Sequence, residues 1–389
     1  MKILYITDFY YTVNSGARTS ARAHLKTLQN LYGKEHVDVI ALVGRNKPKC
    51  VEKGHTVIRG TENKIVLFCD CLCGYSTYLN RVGIRQIAEI AGKNGSDVVF
   101  VDNSIFGKLI KTMKKKNPRI PVVAYYHDVK ASLAKTWRAA APIYKKPVMQ
   151  AMISNERLTA QYADANLVLG NREEKLFIDA YGKHPEAHLS VYMDINLTPA
   201  YFRRTIKNKK RLLFFGGYYL PNVHGIHWFI KNVFHEISDT AELIVAGYGM
   251  DQLEGQNYPA GVRIQGFVEE LESVYRDADV IISPIFEGGG MKVKVAEAMA
   301  FGKVVVGSDE SFEGYQEKIP QEYWDRYFYR ANTAEEFTLQ VKRALEFSEE
   351  RLHFNKEIRE LYEDGFSDKY AEKTISKIID QVLREKIGS

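Results

Sequence analysis

Short apolar runs alternate along the chain with longer stretches in which apolar residues recur every three or four positions. In the first half the runs Ile3–Thr7, Val37–Leu42, Val98–Val101, Val122–Tyr126 and Ala165–Leu169 are rich in β-branched and aromatic residues and predict buried strands. Between them Ala17–Leu31, Ile84–Ala91 and Ser104–Lys115 carry helical spacing. Such alternation predicts a mostly parallel sheet covered by helices on both faces. From Leu189 to Asn208 the pattern gives way to polar, proline-containing sequence and a basic run, which reads as a linker.

The alternation then restarts. Strands are predicted at Leu212–Phe215, Leu243–Ala246, Arg263–Gln265, Val280–Ser283 and Val304–Val306, with helices from about Val223 and over Met291–Phe301. The simplest reading is an α/β chain of two doubly wound, Rossmann-like domains, residues 1–200 and 210–365. A C-terminal segment, 366–389, has Tyr370, Ile375, Ile378, Ile379 and Val382 near helical spacing, and is expected to pack as a helix towards the N-terminal domain. Ligands of open parallel sheets bind beyond the carboxyl ends of the strands, so a cleft between facing domains is the expected site.

A length of 389 residues exceeds what one core usually supports and agrees with two domains. With 45% hydrophobic and 26% charged residues, the composition is that of an ordinary globular protein. The opening MKILYIT reads as a first strand rather than a leader, and no run approaches the roughly 18 apolar residues of a membrane span. The expected location is the cytoplasm, with peripheral attachment to the inner membrane face as a variant.

The net charge of +6 is unevenly spread. One basic cluster comprises Lys108, Lys111, Lys114, Lys115, Lys116 and Arg119, and another Lys207, Lys209, Lys210 and Arg211. Both read as solvated faces, with an anionic membrane surface as the alternative. No zinc-finger spacing or ribonucleoprotein motif points to nucleic acid. Cys69, Cys71 and Cys73 alternate and would line one face of a strand, and these and Cys50 are expected to be buried reduced thiols. They lack the paired spacing of a metal site.

The chemistry concentrates in Ile281–Val306, where a strand runs into Gly288, Gly289 and Gly290, then a helix, a glycine stop and another strand. Glycines allow close approach of the backbone to a ligand, and the N–H groups opening the next helix favour an anion. Lys292 and Lys294 stand where acidic residues are normally preferred, a local conflict that a diphosphate would resolve. Lys294 and Glu297, three apart, share a helical face, so a cation for phosphates and a carboxylate for ribose hydroxyls look into one solvated cleft. Lys292, about 200° around the helix from Lys294, projects differently. The bland alternative is a surface ion pair.

This stretch resembles the signature of family 4 retaining glycosyltransferases of the GT-B fold, in the branch with Gly-x-Gly-x-Lys-x-Lys before a Glu-Ala-Met/Leu helix. Further similarities are Gly216-Gly217-Tyr218-Tyr219-Leu220-Pro221-Asn222, Val245–Gly249, Gln265–Val268 and Ser308–Gly314. The resemblance implies a metal-independent, hexosyltransferase-type enzyme that takes a UDP- or GDP-linked sugar to a glycan, lipid-linked or protein acceptor with retention. It implies donor contacts from Gly217, Val268, Gly289, Gly290, Met291 and Glu297, and catalytic roles for Lys292 and Lys294. The usual first glutamate falls at Gly289, so Glu287 is the carboxylate expected near the donor sugar.

In the first domain Asn14-Ser15-Gly16-Ala17 resembles the family's glycine loop, with Gly16 as donor contact. Tyr125-Tyr126-His127-Asp128-Val129 resembles its histidine loop, with His127 catalytic. Asp277-Ala278-Asp279 matches the metal-binding DxD string of the other main glycosyltransferase fold, yet its place at a helix end predicts capping instead. The alternatives are a catalytically degenerate partner subunit and a sugar-nucleotide epimerase.

Overall fold

The computed structural model describes residues 1–12, 16–44, 50–60, 63–76, 79–132, 146–198, 200–202, 209–346 and 353–387. Asn14, Ser15 and Lys207 therefore lie outside the described residues. The chain divides into two compact units, Met1–Ser190 with Ala371–Ser389, and Val191–Tyr370.

The first unit is built on seven parallel strands: β1 (Ile3–Thr7), β2 (Val37–Val43), β3 (His55–Arg59), β4 (Val98–Val101), β5 (Val122–Tyr125), β6 (Ala165–Val168) and β7 (Ala187–His188). Their order is β3-β2-β1-β4-β5-β6-β7. Helices α1 (Gly16–Tyr32), α2 (Lys64–Leu72), α3 (Arg81–Lys93), α4 (Gly107–Lys116), α5 (Lys146–Tyr162) and α6 (Asn171–Tyr181) connect them. The run of buried Val and Ile in β1, β2, β4 and β5 reflects a sheet covered on both faces. One of its cores joins Leu4, Ile6, Val99 and Val101 of the sheet to Ile84 and Ile87 of α3 and Leu109, Ile110 and Met113 of α4.

The second unit repeats the plan with β8 (Lys210–Phe215), β9 (Ala241–Ala246), β10 (Val262–Gln265), β11 (Val280–Ser283), β12 (Val304–Gly307) and β13 (Phe328–Arg330), again all parallel, in the order β10-β9-β8-β11-β12-β13. Its helices are α7 (Leu220–Asn232), α8 (Leu271–Asp277), α9 (Val293–Ala300), α10 (Ala334–Leu345) and α11 (Lys356–Gly365). The strand order of each sheet reverses beside its first strand, between β1 and β4 and between β8 and β11. Those switch points, at the carboxyl edge, are where a doubly wound sheet leaves a crevice.

The last helix, α12 (Asp368–Ile387), buries Ala371, Ile375, Ile378, Ile379 and Val382, and its Glu372 accepts from Asn30 Nδ2 of α1 at 3.2 Å. The first unit ends at Ser190, earlier than residue 200, because the following segment is tied to α11 and its end: Met193 N–H donates to Phe366 O (3.2 Å), and Arg359 donates to Ile195 O (2.9 Å).

The cysteine-rich stretch is helix α2, not a strand. Asn63 caps it by accepting from Ile65 N–H at 2.9 Å. On a helix Cys71 turns inwards while Cys69 and Cys73 are exposed, as is Cys50, so only one of the four thiols is buried. The Asp277-Ala278-Asp279 string is occupied structurally: Arg211 donates to Asp277 at 3.1 Å through its guanidinium and to Asp279 at 2.7 Å through its backbone N–H.

Candidate functional site

The carboxyl edge of the second sheet assembles the residues singled out in the sequence. β8 ends at Gly216 and Gly217, and β9 ends at Gly247, which has φ +137°. A Cβ on Gly247 would stand 2.0 Å from Gly216 O, so this crossing of two backbones requires glycine. Asn222, in the first turn of α7, donates to Gly217 O at 2.8 Å and accepts from Lys294 Nζ at 2.9 Å. The β8 turn and the first turn of α9 are thereby locked together through one amide.

β11 runs into the glycine triplet, in which Gly288 (φ 115°) and Gly290 (φ 66°) adopt backbone conformations that side chains disfavour, and nothing lies within 4 Å of where a Cβ on Gly289 would be. Gly289 is exposed and Gly290 and Met291 are buried; Met291 fits under Gly314, whose Cβ would meet its Cγ at 2.6 Å. The open loop leads directly to α9, whose first-turn N–H groups lack intrahelical acceptors.

Lys294 and Glu297 are only 7% and 8% exposed, which corrects the expectation of a solvated face. They are not an ion pair either. Lys294 Nζ bonds to Asn222 and sits 4.0 Å from the Phe214 ring centroid, while Glu297 Oε2 accepts from Tyr275 OH at 3.0 Å. Desolvation brings the lysine down to about 7, opposed by the charge of Glu297 and assisted by that of Lys292. Desolvation likewise lifts Glu297 to about 7, opposed by the Tyr275 hydrogen bond and by Lys294. Each group is thus held where it changes charge near neutrality.

The remaining predicted residues are placed differently. Lys292 Nζ turns to Glu310 (2.7 Å) and Gly290 O (3.0 Å), bracing the glycine loop, while its carbonyl accepts from Tyr315 OH. Exposed Glu287 meets His224 Nδ1 of α7 at 2.8 Å. Val268 is half-buried in the turn after β10, next to Phe267, which is 66% exposed.

In the first unit the switch point holds a different constellation. Asp102, fully buried just after β4, has Oδ1 within 3.1 Å of His127 Nε2 and 2.9 Å of His24 Nδ1 of α1, and its Oδ2 accepts from Tyr5 OH at 2.6 Å. Desolvation opposes its charge, but the two imidazoles outweigh that and hold the carboxyl well below the usual range. His127 follows β5 and is wedged edge-on between Phe9 (4.7 Å) and Tyr125 (4.8 Å). Asp8, after β1, accepts from Asn103 Nδ2 at 2.9 Å, and burial raises it to about 6. Gly16 opens α1 and is exposed.

Asp102, His24, Asp8 and Tyr275 belong to none of the sequence motifs, whereas Asn222 closes the Gly216–Asn222 motif. For two of them a signal existed: Asp8 and Asp102 each directly follow a buried strand, the place where an open sheet exposes its crevice. Among the described residues no group of three or more potential ligands is placed to hold a metal ion.

Residues 209–346, from just before β8 to just past α10, match the family described as Glycosyl transferases group 1. A protein of Methanocaldococcus jannaschii described as an uncharacterized glycosyltransferase is 26% identical over 191 residues, 46% of this chain and 47% of its own length. The chain thus aligns with about half the length of that curated relative.

Among solved structures, Anabaena Alr3699/HepE in complex with UDP and glucose is similar over 98% of this chain and 100% of that one, with a TM-score of 0.66 at 12% identity. WaaG, a glycosyltransferase involved in lipopolysaccharide biosynthesis, is similar over 97% and 99%, with a TM-score of 0.67 at 15% identity. At such identities the likeness is one of fold: two Rossmann-like parallel-sheet units, as in glycosyltransferases of the GT-B fold.

Proposed function

We propose that the chain is a retaining, hexosyltransferase-type glycosyltransferase that moves a sugar from a UDP- or GDP-linked donor to a glycan, lipid-linked or protein acceptor without a metal ion. The observation that carries this reading is the buried Lys294 and Glu297 behind an open glycine loop at the N-terminus of α9, within the segment that matches the family. A lysine near half protonation in an apolar setting gains a full charge when a diphosphate arrives. The loop and helix N–H groups provide further anion contacts. Glu297, fixed by Tyr275, is suited to accept from vicinal ribose hydroxyls. Val268 offers backbone to the base, and Gly217, Gly289, Gly290 and Met291 shape the floor.

As the donor's glycosidic bond breaks, negative charge grows on the leaving diphosphate. Preorganised cationic and N–H groups aimed there lower the barrier without reorganisation. Lys294 supplies the main charge; Lys292 reaches the phosphates only by opening its pair with Glu310. His127, oriented by Asp102, hydrogen-bonds the donor sugar, and Gly16 lines the same donor path. Asp102 is engaged by two imidazoles and a tyrosine, which supports same-face attack assisted by the leaving phosphate over a covalent carboxylate intermediate.

The test is a panel of sugar nucleotides assayed for donor hydrolysis and for transfer to saccharide and lipid-linked acceptors, with EDTA present. Turnover of one donor with the anomeric configuration kept is the expected result. Strict dependence on magnesium or manganese, or inversion, would overturn the corresponding part of the proposal.

A further inference from the structure

Helix α2 carries a cluster of exposed large hydrophobic side chains. Ile65 is 74% exposed, Leu72 62%, Val66 45% and Phe68 38%, with Cys69 and Cys73 exposed between them. At 100° per residue these six positions form one continuous outward arc, and Lys64 and Asp70 fall on its flanks. The inward side carries Cys71. A solvent-facing helix normally shows its polar side to water, so this one is inverted.

Its surroundings are basic. Lys108, at the start of α4, reaches the C-terminal end of α2, donating to Cys73 O and lying 4.1 Å over the Tyr75 ring. From there Lys111 and Lys115 continue an exposed stripe along α4. Together α2, α3 and α4 contain Lys64, Arg81, Arg85, Lys93, Lys108, Lys111, Lys114, Lys115 and Lys116 against Asp70 and Glu89 alone, a net +7. The whole chain has only +6, so these three helices hold more than all of its excess. Lys114 and Lys116 are paired with Asp164 and Glu89. Lys64, Arg81, Arg85, Lys93, Lys111 and Lys115 have no ion pair among the described residues.

We infer that α2 with the flanking basic stripe of α4 is a docking surface for an anionic lipid bilayer. An apolar arc framed by lysines matches the interfacial mode, in which a helix lies in the headgroup plane with its apolar side in the acyl boundary. Nine residues span about 13 Å, far short of a bilayer, and no helix among the described residues is long and apolar enough to cross one. A second copy of the chain is a poor occupant, because a two-fold contact would press one +7 surface against another. This inference does not rest on the proposed activity.

The test is co-sedimentation of the full chain with vesicles of phosphatidylcholine alone or mixed with phosphatidylglycerol, at low and high salt. The chain should bind the mixed vesicles preferentially and lose affinity as salt rises. Ile65→Ser with Leu72→Ser should lower binding about tenfold or more. Lys111→Gln and Lys115→Gln should each lower it roughly fivefold and flatten the salt dependence. Both pairs should melt as the parent does, since all four side chains are exposed. Equal binding to both vesicle types, or unchanged binding of the Ile65/Leu72 variant, would overturn the inference. So would a dimer dissolved by that variant, or binding of RNA in place of vesicles.

Discussion

The two switch points share one topology but solve their electrostatics in opposite ways. At β1/β4 the buried Asp102 is surrounded by His127, His24 and Tyr5, which hold its carboxyl well below the usual range despite desolvation. At β8/β11, among the described residues, buried Lys294 meets an amide oxygen and an aromatic face, and Glu297 a phenol. This second switch point holds two groups near half charge and gains most from an incoming anion and hydrogen-bond donors.

That contrast can be broken by substitution. The largest effect is expected at Lys294, where Lys294→Ala should reduce turnover by about 10²-fold or more, the loss typical of one oxyanion donor. Steady-state kinetics with a saturating donor checks it. At Glu297 the change to Gln should raise KM and leave kcat nearly unchanged, because ribose contacts are alike in ground and transition states.

Next comes the first unit. Asp102→Asn removes a buried charge and should cost about 3 kcal/mol of stability, read as a lower urea midpoint. His127→Ala should depress transfer strongly while affinity for nucleoside diphosphate holds. Parallel loss of melting temperature, affinity and transfer would reduce His127 to a structural role. The smallest effect is expected at exposed Glu287, whose pairing with His224 contributes at most about 1 kcal/mol to stability. A large rise in donor KM on Glu287→Gln would instead place it at the sugar.

Much of this was legible from the chain. Continuous Val/Ile runs identify the central strands because both faces of those strands are buried. The edge strand β3, His55–Arg59, escaped because only Ile58 is buried along it. Three alternating cysteines suggest a strand by their period of two, whereas in the fold they lie on and just after helix α2, which Asn63 caps. The glycine loop, Lys294 and Glu297 are contiguous and could be read as a motif. Asp102 and His24 lie 78 residues apart and meet only through the sheet order β1–β4, which no local pattern encodes. Burial of Lys294 and Glu297 was also invisible, since residue type alone argues for exposure.

Titration of the Lys294 and Glu297 pair shows the sign of its contribution. From pH 4.5 to about 7 native Glu297 keeps a proton that the unfolded chain has lost, so stability falls as pH rises. From about 7 to 10.5 the unfolded chain keeps the lysine proton that native Lys294 has lost, so stability rises with pH. The pair therefore weakens the free protein most near neutrality, where a bound diphosphate would relieve it.

The central claim, that Lys294 is the cation awaiting a diphosphate, is tested most directly by the affinity for UDP measured calorimetrically from pH 6.5 to 9 in EDTA. Above about pH 7 Lys294 is losing its proton while the UDP phosphate, with a second pKa of about 6, is already ionised. The account predicts that affinity falls by up to about tenfold per pH unit, with proton uptake on binding, and that Lys294→Met binds weakly with no such slope. An affinity independent of pH in the parent chain, or the same slope in Lys294→Met, would contradict it.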